Sequence, residues 1–335
     1  MSDPQLSGKT VTVAYPIPTR DSPVKLTPLS ILYPGKMWQS QGCEVFFWDE
    51  RFDSLEQLDE WILRSTDFAT SAFTGYQCGA AGRLLKRAKR LNPSITTHLG
   101  GYHARLLPEQ VAREPYVDEV WPGKNYGEWL MPFAEDTAHH FKRTDMQYYT
   151  SRGCPFPCTF CALTSPWQPK DIESLERELK TIHDAVGFSE ISFSDPNIGF
   201  GVYKDDEGKT VRMDRILRMK AIGQVMRDLG VTWDGNIRSP YLTPQMIEVL
   251  AWGGCTSLEI GCESGDDWYL KRVIRKGHGV DAIKAAALNI RGSGISVMYS
   301  FLAFAPHETE AQRRNTYDLI DWIVDTDPLA RVSLY

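Results

Sequence analysis

Short apolar, strand-like runs alternate with amphipathic helical stretches along almost the whole chain, and this alternation narrows the fold more than any other feature. TVTVAY (10–15), CEVFFWDE (43–50), DFATSAFTG (67–75), SITTHLGG (94–101) and VDEVWPG (117–123) read as strands. Helices are expected between them, at about 27–41, 54–65 and 80–92. In SLEQLDEWILRS, for example, Leu55, Leu58, Trp61 and Ile62 fall on one stripe. This is the pattern of an α/β, doubly wound parallel sheet of the Rossmann-like type. A polar, aromatic stretch at 124–145, with a helix expected over 127–141, separates it from a second series. There, strands are expected near 146–150, 189–195, 231–238, 256–262, 295–302 and 330–335. Helices are expected near 171–187, 212–229, 243–252, 280–292 and 309–325. Six strands alternating with five helices predict a partial (β/α)6 barrel of the TIM type. The expected domains are residues 1–125 and 146–335, joined by a linker at 126–145. The chain stops on its last strand, RVSLY, so a longer, C-terminally truncated protein is expected.

Composition bounds the function classes. At 335 residues the chain is too long for one ordinary core. The net charge of -6 argues against a nucleic-acid partner, which needs a basic face. No run of apolar residues is long enough to span a membrane, and MSDPQLSGKT lacks the basic-then-apolar profile of a signal peptide. A cytoplasmic location is the resulting expectation. Seven cysteines make an odd count, which speaks against a disulfide framework. Cys43, Cys78, Cys255 and Cys262 are scattered and read as small buried hydrophobes.

The other three crowd into CPFPCTFC, with C-x3-C-x2-C spacing. The loop follows the expected strand MQYYT, and in a barrel the loop after a strand opens on the catalytic face. Three thiolates can bind a soft metal and leave one position for a ligand. Pro155 and Pro157 reduce the entropy lost on ordering the loop. Spacing alone leaves two other readings open. One is a structural zinc site that recruits a distant fourth ligand, in a non-catalytic zinc-binding module; the other is three inert thiols.

SRGCPFPCTFC resembles the signature of radical S-adenosylmethionine (SAM) enzymes. The resemblance implies a [4Fe–4S] cluster on Cys154, Cys158 and Cys161, with SAM on the fourth iron and Phe160 near the adenine. It also implies that Asp195, at the end of ISFSD, lies near the SAM amine and that Arg238, in WDGNIRSP, meets the SAM carboxylate. Glu263, in IGCESG, would accept from the ribose hydroxyls. The alternating polar residues Asp234, Asn236 and Arg238 suggest a wet barrel interior. FLAFAPHET resembles the family's fifth-strand segment, although Phe304 and His307 stand where glycine is common; His307 reads as a surface histidine.

The first domain resembles the cobalamin-binding domain found in front of many such barrels. The matching pieces are TPLSILYPGKMWQSQGCEVFFWDE, SAFTGYQ and HLGGYHARLLPEQVAREPYVDEVWPG. The resemblance places Gly75, Tyr76, Gln77, Gly100, Gly101, Tyr102 and His103 about the cobalamin, with Tyr76 or Gln77 beneath the cobalt. The Asp-x-His-x-x-Gly motif is absent, so His103 is not read as a cobalt ligand, and WPGKNYGEW departs from the acidic, glycine-rich stretch common there. EGKT (207–210) lacks the first glycine of a phosphate-binding loop, and GYQCGAAG lacks dinucleotide-binding spacing. The implied function is a cobalamin-dependent radical SAM methyltransferase acting on an unactivated carbon of a small molecule, in natural-product biosynthesis. An external electron donor of the flavodoxin or ferredoxin type would serve it. In that chemistry a 5′-deoxyadenosyl radical removes a hydrogen and methylcobalamin supplies the methyl group, so the substrate is expected between the two cofactors. The alternative keeps the radical without methyl transfer, as in a dehydratase, deoxygenase, epimerase or cyclase.

Overall fold

The computed structural model describes residues 8–17, 25–73, 75–121, 130–163, 165–205 and 207–335. The chain folds into two compact units, Met1–Asp145 and Met146–Tyr335. Among the described residues no helix is long and apolar enough to cross a membrane.

In the first unit the strands are β1 (Thr10–Tyr15), β2 (Glu44–Asp49), β3 (Asp67–Ser71), β4 (Thr96–Gly100) and β5 (Glu119–Val120). The helices are α1 (Leu29–Ser40), α2 (Leu55–Arg64), α3 (Tyr76–Leu91), α4 (Gly101–Leu106), α5 (Pro108–Val111) and α6 (Ala138–Lys142). All strand pairs are parallel, in the order β2-β1-β3-β4-β5, so this is the doubly wound sheet expected from the alternation. Its core gathers Trp48, Leu58, Ile62, Phe68, Leu84 and Leu85. Helix α2 starts where Ser54 caps it, accepting from the Gln57 N–H. Its inward stripe is Leu58 and Ile62, while Leu55 stays exposed in the first turn. Gly35 has no room for a side chain, because a Cβ there would stand 2.1 Å from the Phe47 ring.

The expected helix over 127–141 is shorter. Residues 122–129, most of WPGKNYGEW, lie outside the described residues, and a single turn at Glu135–Thr137 leads into α6. Pro132 removes a backbone donor just before that turn. The end of the stretch read as a linker packs into the first unit. The Asp145 carbonyl accepts from the Thr27 N–H at 3.1 Å, and Lys36 meets Asp136 at 2.7 Å.

The second unit contains β6 (Gln147–Tyr148), β7 (Ser151–Cys154), β8 (Ser165–Pro169), β9 (Glu190–Phe193), β10 (Val202–Lys204), β11 (Thr210–Arg212), β12 (Thr232–Asn236), β13 (Cys255–Glu263), β14 (Ser296–Phe301) and β15 (Ala330–Leu334). Its long helices are α7 (Ile172–Val186), α8 (Arg215–Leu229), α9 (Pro244–Trp252), α10 (Val280–Ile290) and α11 (Glu310–Thr326). Six strands form one parallel sheet in the order β15-β14-β13-β12-β9-β6, the open partial barrel that the alternation predicts. One strand face is apolar, with Leu258 and Ile260 buried. The other is polar: Ser192 donates to Asp234 at 2.7 Å, and Ser300 donates to Glu259 at 2.8 Å. Asp171, Asp214, Thr243 and Thr309 cap α7, α8, α9 and α11 with their side chains.

Three elements depart from the expected pattern. β7 and β8 form an antiparallel hairpin, and β10 and β11 form another, which contains EGKT. A π-helical turn occupies Tyr269–Ile274 and ends at Arg275, whose φ is 56°.

Candidate functional site

The three clustered cysteines sit on the β7–β8 hairpin, and the structure fixes its feet with care. Asp195 accepts from the Thr150 N–H at 2.8 Å, from the Thr150 hydroxyl at 2.9 Å and from the Ser151 hydroxyl. Arg218 donates to the carbonyls of Thr150 at 2.8 Å and Lys170 at 3.0 Å, one on each side of the hairpin. Lys170 is itself buried, and its ammonium meets Tyr148 and Glu178. Near the tip of the stem, Gly153 has φ 76°, and a Cβ there would lie 2.1 Å from the Pro166 carbonyl oxygen. Glycine is therefore required for the strands to approach.

This arrangement gives Asp195 a structural role in the hairpin. β9 ends at Phe193, the chain then turns, and the Asp195 side chain is 0% exposed with both oxygens engaged. Its position makes it the clamp under the cysteine loop. Burial raises its carboxyl, partly countered by the Ser151 and Thr150 hydrogen bonds.

The loop itself docks on the π-helical turn. The Thr159 N–H donates to the Ile274 carbonyl at 3.0 Å and its hydroxyl to the Val273 carbonyl at 2.9 Å. Cys158 is buried, while Cys154 and Cys161 are partly exposed. Burial pushes the Cys154 thiol up; the charge of Arg238 opposes that shift, and Cys161 and Cys158 add to it, so the three sulfurs and the guanidinium share one neighbourhood. Arg238 lies 3.7 Å from the Cys158 Sγ, stacks 3.8 Å from the Phe156 ring and donates to the Lys276 carbonyl. Phe160 is 52% exposed on the same loop.

Glu263, at φ 68°, ends β13, and its Oε1 accepts from Lys276 at 2.6 Å in a buried ion pair. Gly261 makes that pair possible, because a Cβ on it would stand 2.3 Å from the Glu263 oxygen. One Glu263 oxygen is thus committed to Lys276, a residue that sequence reasoning missed.

Around Arg238 the hydrogen-bond accounting leaves a remainder. Asn197 accepts from the Arg238 N–H at 3.3 Å, but its buried Nδ2 has no partner. The buried Ser239 hydroxyl and His278 Nε2 have none either. His278 Nδ1 faces the Gly279 carbonyl at 3.4 Å, so that nitrogen carries the proton and Nε2 is left as an acceptor. Burial pushes this imidazole down to about 4, and the charges of Arg238 and Lys276 add to the effect, so it is neutral at physiological pH. Buried polar atoms are rarely left unpaired. Here a cation, an amide donor and an imidazole acceptor stand beside a three-thiolate loop. This donor set fits a cluster ligated by Cys154, Cys158 and Cys161, with a zwitterionic amino-acid group next to it. Among the described residues no three His, Cys, Asp or Glu side chains gather tightly enough for a single ion. Sequence reasoning missed Asn197 and His278, which lie outside the regular strands.

In the first unit a narrow cavity of about 40 Å3 lies at the β1/β3 switch point, lined by Ser30, Trp38, Ser71, His98, Gly100 and Trp121 among others. A doubly wound sheet binds ligands at this kind of position. His98 donates through Nε2 to Asp67 at 2.8 Å, and its buried Nδ1 has no partner. Burial alone would raise the Asp67 carboxyl, but hydrogen bonds from His98, Thr66 and Lys9 outweigh it and hold it down at about 2. Sequence reasoning missed His98, although it shares a strand face with Gly100.

The residues singled out there from the sequence divide. A Cβ on Gly100 would meet nothing closer than 3.6 Å, so packing does not demand glycine at that point. Gly101 is different: with φ 88°, its Cβ would stand 2.4 Å from the Ala72 carbonyl oxygen, so the fold itself requires glycine. Gln77 is also used by the fold, donating to the Pro16 carbonyl at 3.0 Å and accepting from the Phe73 N–H at 2.7 Å. Tyr76 is exposed, Tyr102 packs edge-on against Phe73, and the His103 N–H bonds the Ala72 carbonyl at 3.1 Å. Gly75, at φ 60°, borders open space.

The chain is 28% identical over 170 residues to an uncharacterized methyltransferase of Pyrococcus horikoshii, covering 49% of this chain and 34% of the relative. It is 24% identical over 303 residues to the anaerobic magnesium-protoporphyrin IX monomethyl ester cyclase of Rubrivivax gelatinosus, covering 73% of this chain and 52% of the relative. The chain thus spans about a third and about half of the lengths of these two proteins. Its fold matches that of TsrM from Kitasatospora setae, a radical SAM methyltransferase solved with cobalamin and a [4Fe–4S] cluster. The TM-score is 0.73, at 14% identity, over 97% of this chain and 75% of that one. The model of the Radical SAM superfamily matches residues 148–320, from the end of β6 into α11 and including all three loop cysteines. With more than half of its length matched, this chain belongs to the Radical SAM superfamily, whose [4Fe–4S] cluster and SAM fit the donor set built around Arg238.

Proposed function

We propose that this chain is the catalytic core of a cobalamin-dependent radical SAM methyltransferase acting on a small molecule in natural-product biosynthesis. The observation that carries the reading is a pairing within one chain. A doubly wound unit with a cavity at its switch point precedes an open barrel bearing the three-cysteine loop, and the whole resembles TsrM in fold. Bound together, the cluster, SAM and cobalamin would supply radical formation and a transferable methyl group.

The protein's own contribution is holding and exclusion. Cys154, Cys158 and Cys161 would hold the cluster, on a hairpin that Asp195 and Arg218 keep rigid. Asn197, Ser239 and His278 would orient the amino-acid end of SAM, and the exposed Phe160 ring would cover the adenine. Glu263 would reach the ribose with the carboxylate oxygen not bound to Lys276. In the first unit, Gly100, Ser30, Ser71 and His98 border the cavity and would face the cobalamin, and Gly75, Tyr76, Gln77, Tyr102 and His103 would lie about it as the sequence resemblance implies. An external low-potential electron donor would serve the cluster.

The test is anaerobic reconstitution of the full chain, iron and corrinoid analysis, and turnover of candidate substrates with methyl-labelled SAM. Iron, bound corrinoid and a labelled methyl group in the product are expected. The similarity to the Rubrivivax cyclase, over 73% of this chain, favours a second reading in which a radical rearranges or cyclises the substrate without methyl transfer. Product lacking the label would select it.

A further inference from the structure

Among the described residues Arg238 is a buried cation with no carboxylate in contact. A guanidinium 8% exposed normally has a carboxylate beside it, because the cost of desolvating an unpaired charge is large. The guanidinium partners among the described residues are the Cys158 sulfur at 3.7 Å, the Lys276 carbonyl and the face of Phe156 at 3.8 Å. Glu263, at the end of the neighbouring strand β13, is already neutralised by Lys276 at 2.6 Å. The Arg238 backbone N–H is also fixed, by Asn197 at 3.3 Å. The arrangement holds a positive charge rigidly against one thiol and leaves it uncompensated.

We infer that Arg238 is a positioning residue for the iron–sulfur cluster itself: its guanidinium donates to the Cys158 sulfur and sets the cluster's reduction potential before SAM arrives. The inference rests on superfamily membership and is independent of whether cobalamin is bound or a methyl group is moved. A cube carrying three thiolates is anionic, and accepting one electron from an external one-electron reductant adds one negative charge. A fixed cation stabilises the reduced form more than the oxidised one, most strongly where water is excluded. The guanidinium is thus the missing counterion's mirror image: the protein supplies the cation and the cluster supplies the anion. The Lys276 carbonyl and Phe156 ring account for the precision, since a planar fork held on two sides keeps its direction toward sulfur.

The experiment is a redox titration of the reconstituted full chain, followed by electron paramagnetic resonance and visible absorption, without SAM. R238Q is expected to take the midpoint to a more negative potential, and R238K, which keeps the charge and loses the fork, is expected to recover part of the shift. F156L keeps every ligand and the charge but frees the guanidinium, so a smaller negative shift is expected. A SAM-free midpoint in R238Q equal to that of the wild type, with only SAM affinity weakened, would overturn the inference and leave Arg238 as a carboxylate ligand. Should R238Q fail to take up iron, F156L decides: an unmoved midpoint there overturns the inference as well. Wild-type protein that holds no iron sinks the cluster assignment first, a failure recognisable before any variant is titrated.

Discussion

The cavity of the first unit and the cysteine face of the second are built from similar residue types, yet they differ in what their polar atoms are doing. In the first unit most of the suggestive residues are consumed by the fold. Gln77 spends both ends of its amide on Pro16 and Phe73, and Gly101 is glycine because Ala72 leaves no room. In the second unit Asn197, Ser239 and His278 keep buried, unsatisfied atoms around a cation that has no carboxylate partner among the described residues. The lesson is that residue type proposes a site and hydrogen-bond accounting disposes of it. His98, with an unpartnered nitrogen lining the first unit's cavity, is the point where that unit behaves like the second.

The largest effect we expect separates the two regions outright. Cys158→Ala should reduce iron uptake on reconstitution to background and abolish the visible absorption of the cluster, while corrinoid affinity of the first unit stays at the wild-type value. Parallel iron assays and corrinoid titrations read both. A coincident loss of corrinoid would break the comparison. Next comes Gly101→Ala, which adds a Cβ at positive φ against backbone and should cost about 3 kcal/mol of stability. Gly75→Ala, at φ 60° in open space, should cost about 1 kcal/mol. Urea unfolding of both variants tests the ordering. A Gly101→Ala protein of normal stability that has lost corrinoid would show that the glycine serves a ligand after all.

His140 sharpens the comparison from another side, because it shows that an orphaned atom alone does not make a site. Its side chain is fully buried in the first unit and its ring nitrogens make no close hydrogen bond, yet Nδ1 stands 3.9 Å from the buried Asp49 carboxylate and the ring lies beside Phe47. Burial pushes its imidazole down to about 3, with the charge of His139 adding to the effect. The folded state therefore resists protonation that the unfolded chain accepts near 6.5. Stability is full above pH 6.5 and falls as the pH drops toward 3, by about 3 kcal/mol at pH 4. His140→Phe should flatten that slope, read as urea midpoints at pH 7.5 and pH 4. An unchanged slope would place the titration elsewhere.

How much of this was legible in the sequence follows from range. The doubly wound sheet and the open barrel were readable because periods of two and of about 3.6 are local, and the long helices fell close to where those periods placed them. The β7–β8 hairpin was not, since SPWQP offers two prolines and no alternation, and its partner strand is held by Asp195 from far along the chain. The π-helical turn has no local signature either, although it is the seat on which Thr159 places the cysteine loop. The cysteines themselves were readable as a spaced motif. The clamp role of Asp195 was not readable because parity was extended two residues past Phe193, where the strand had ended. Lys276 and His278 were invisible because their meaning comes from Glu263 and Arg238, partners on other elements.

The smallest effect we expect tests the remainder around Arg238 most directly. His278→Phe keeps the ring and deletes the Nε2 acceptor; Asn197→Ala deletes the unpartnered Nδ2 donor. Each removes one hydrogen bond that a bound ligand could make, and one such bond is worth about 1 kcal/mol. SAM affinity, measured by calorimetry on the reconstituted protein, should therefore weaken about fivefold in either variant. Iron content and the SAM-free midpoint should stay where the wild type has them, in contrast to R238Q. The double variant should weaken SAM by the product of the two effects if the atoms contact separate groups of the ligand, and by less if they share one. If neither single variant moves SAM affinity, the orphaned atoms are satisfied by water, and the second unit differs from the first in hydration and not in ligand recognition.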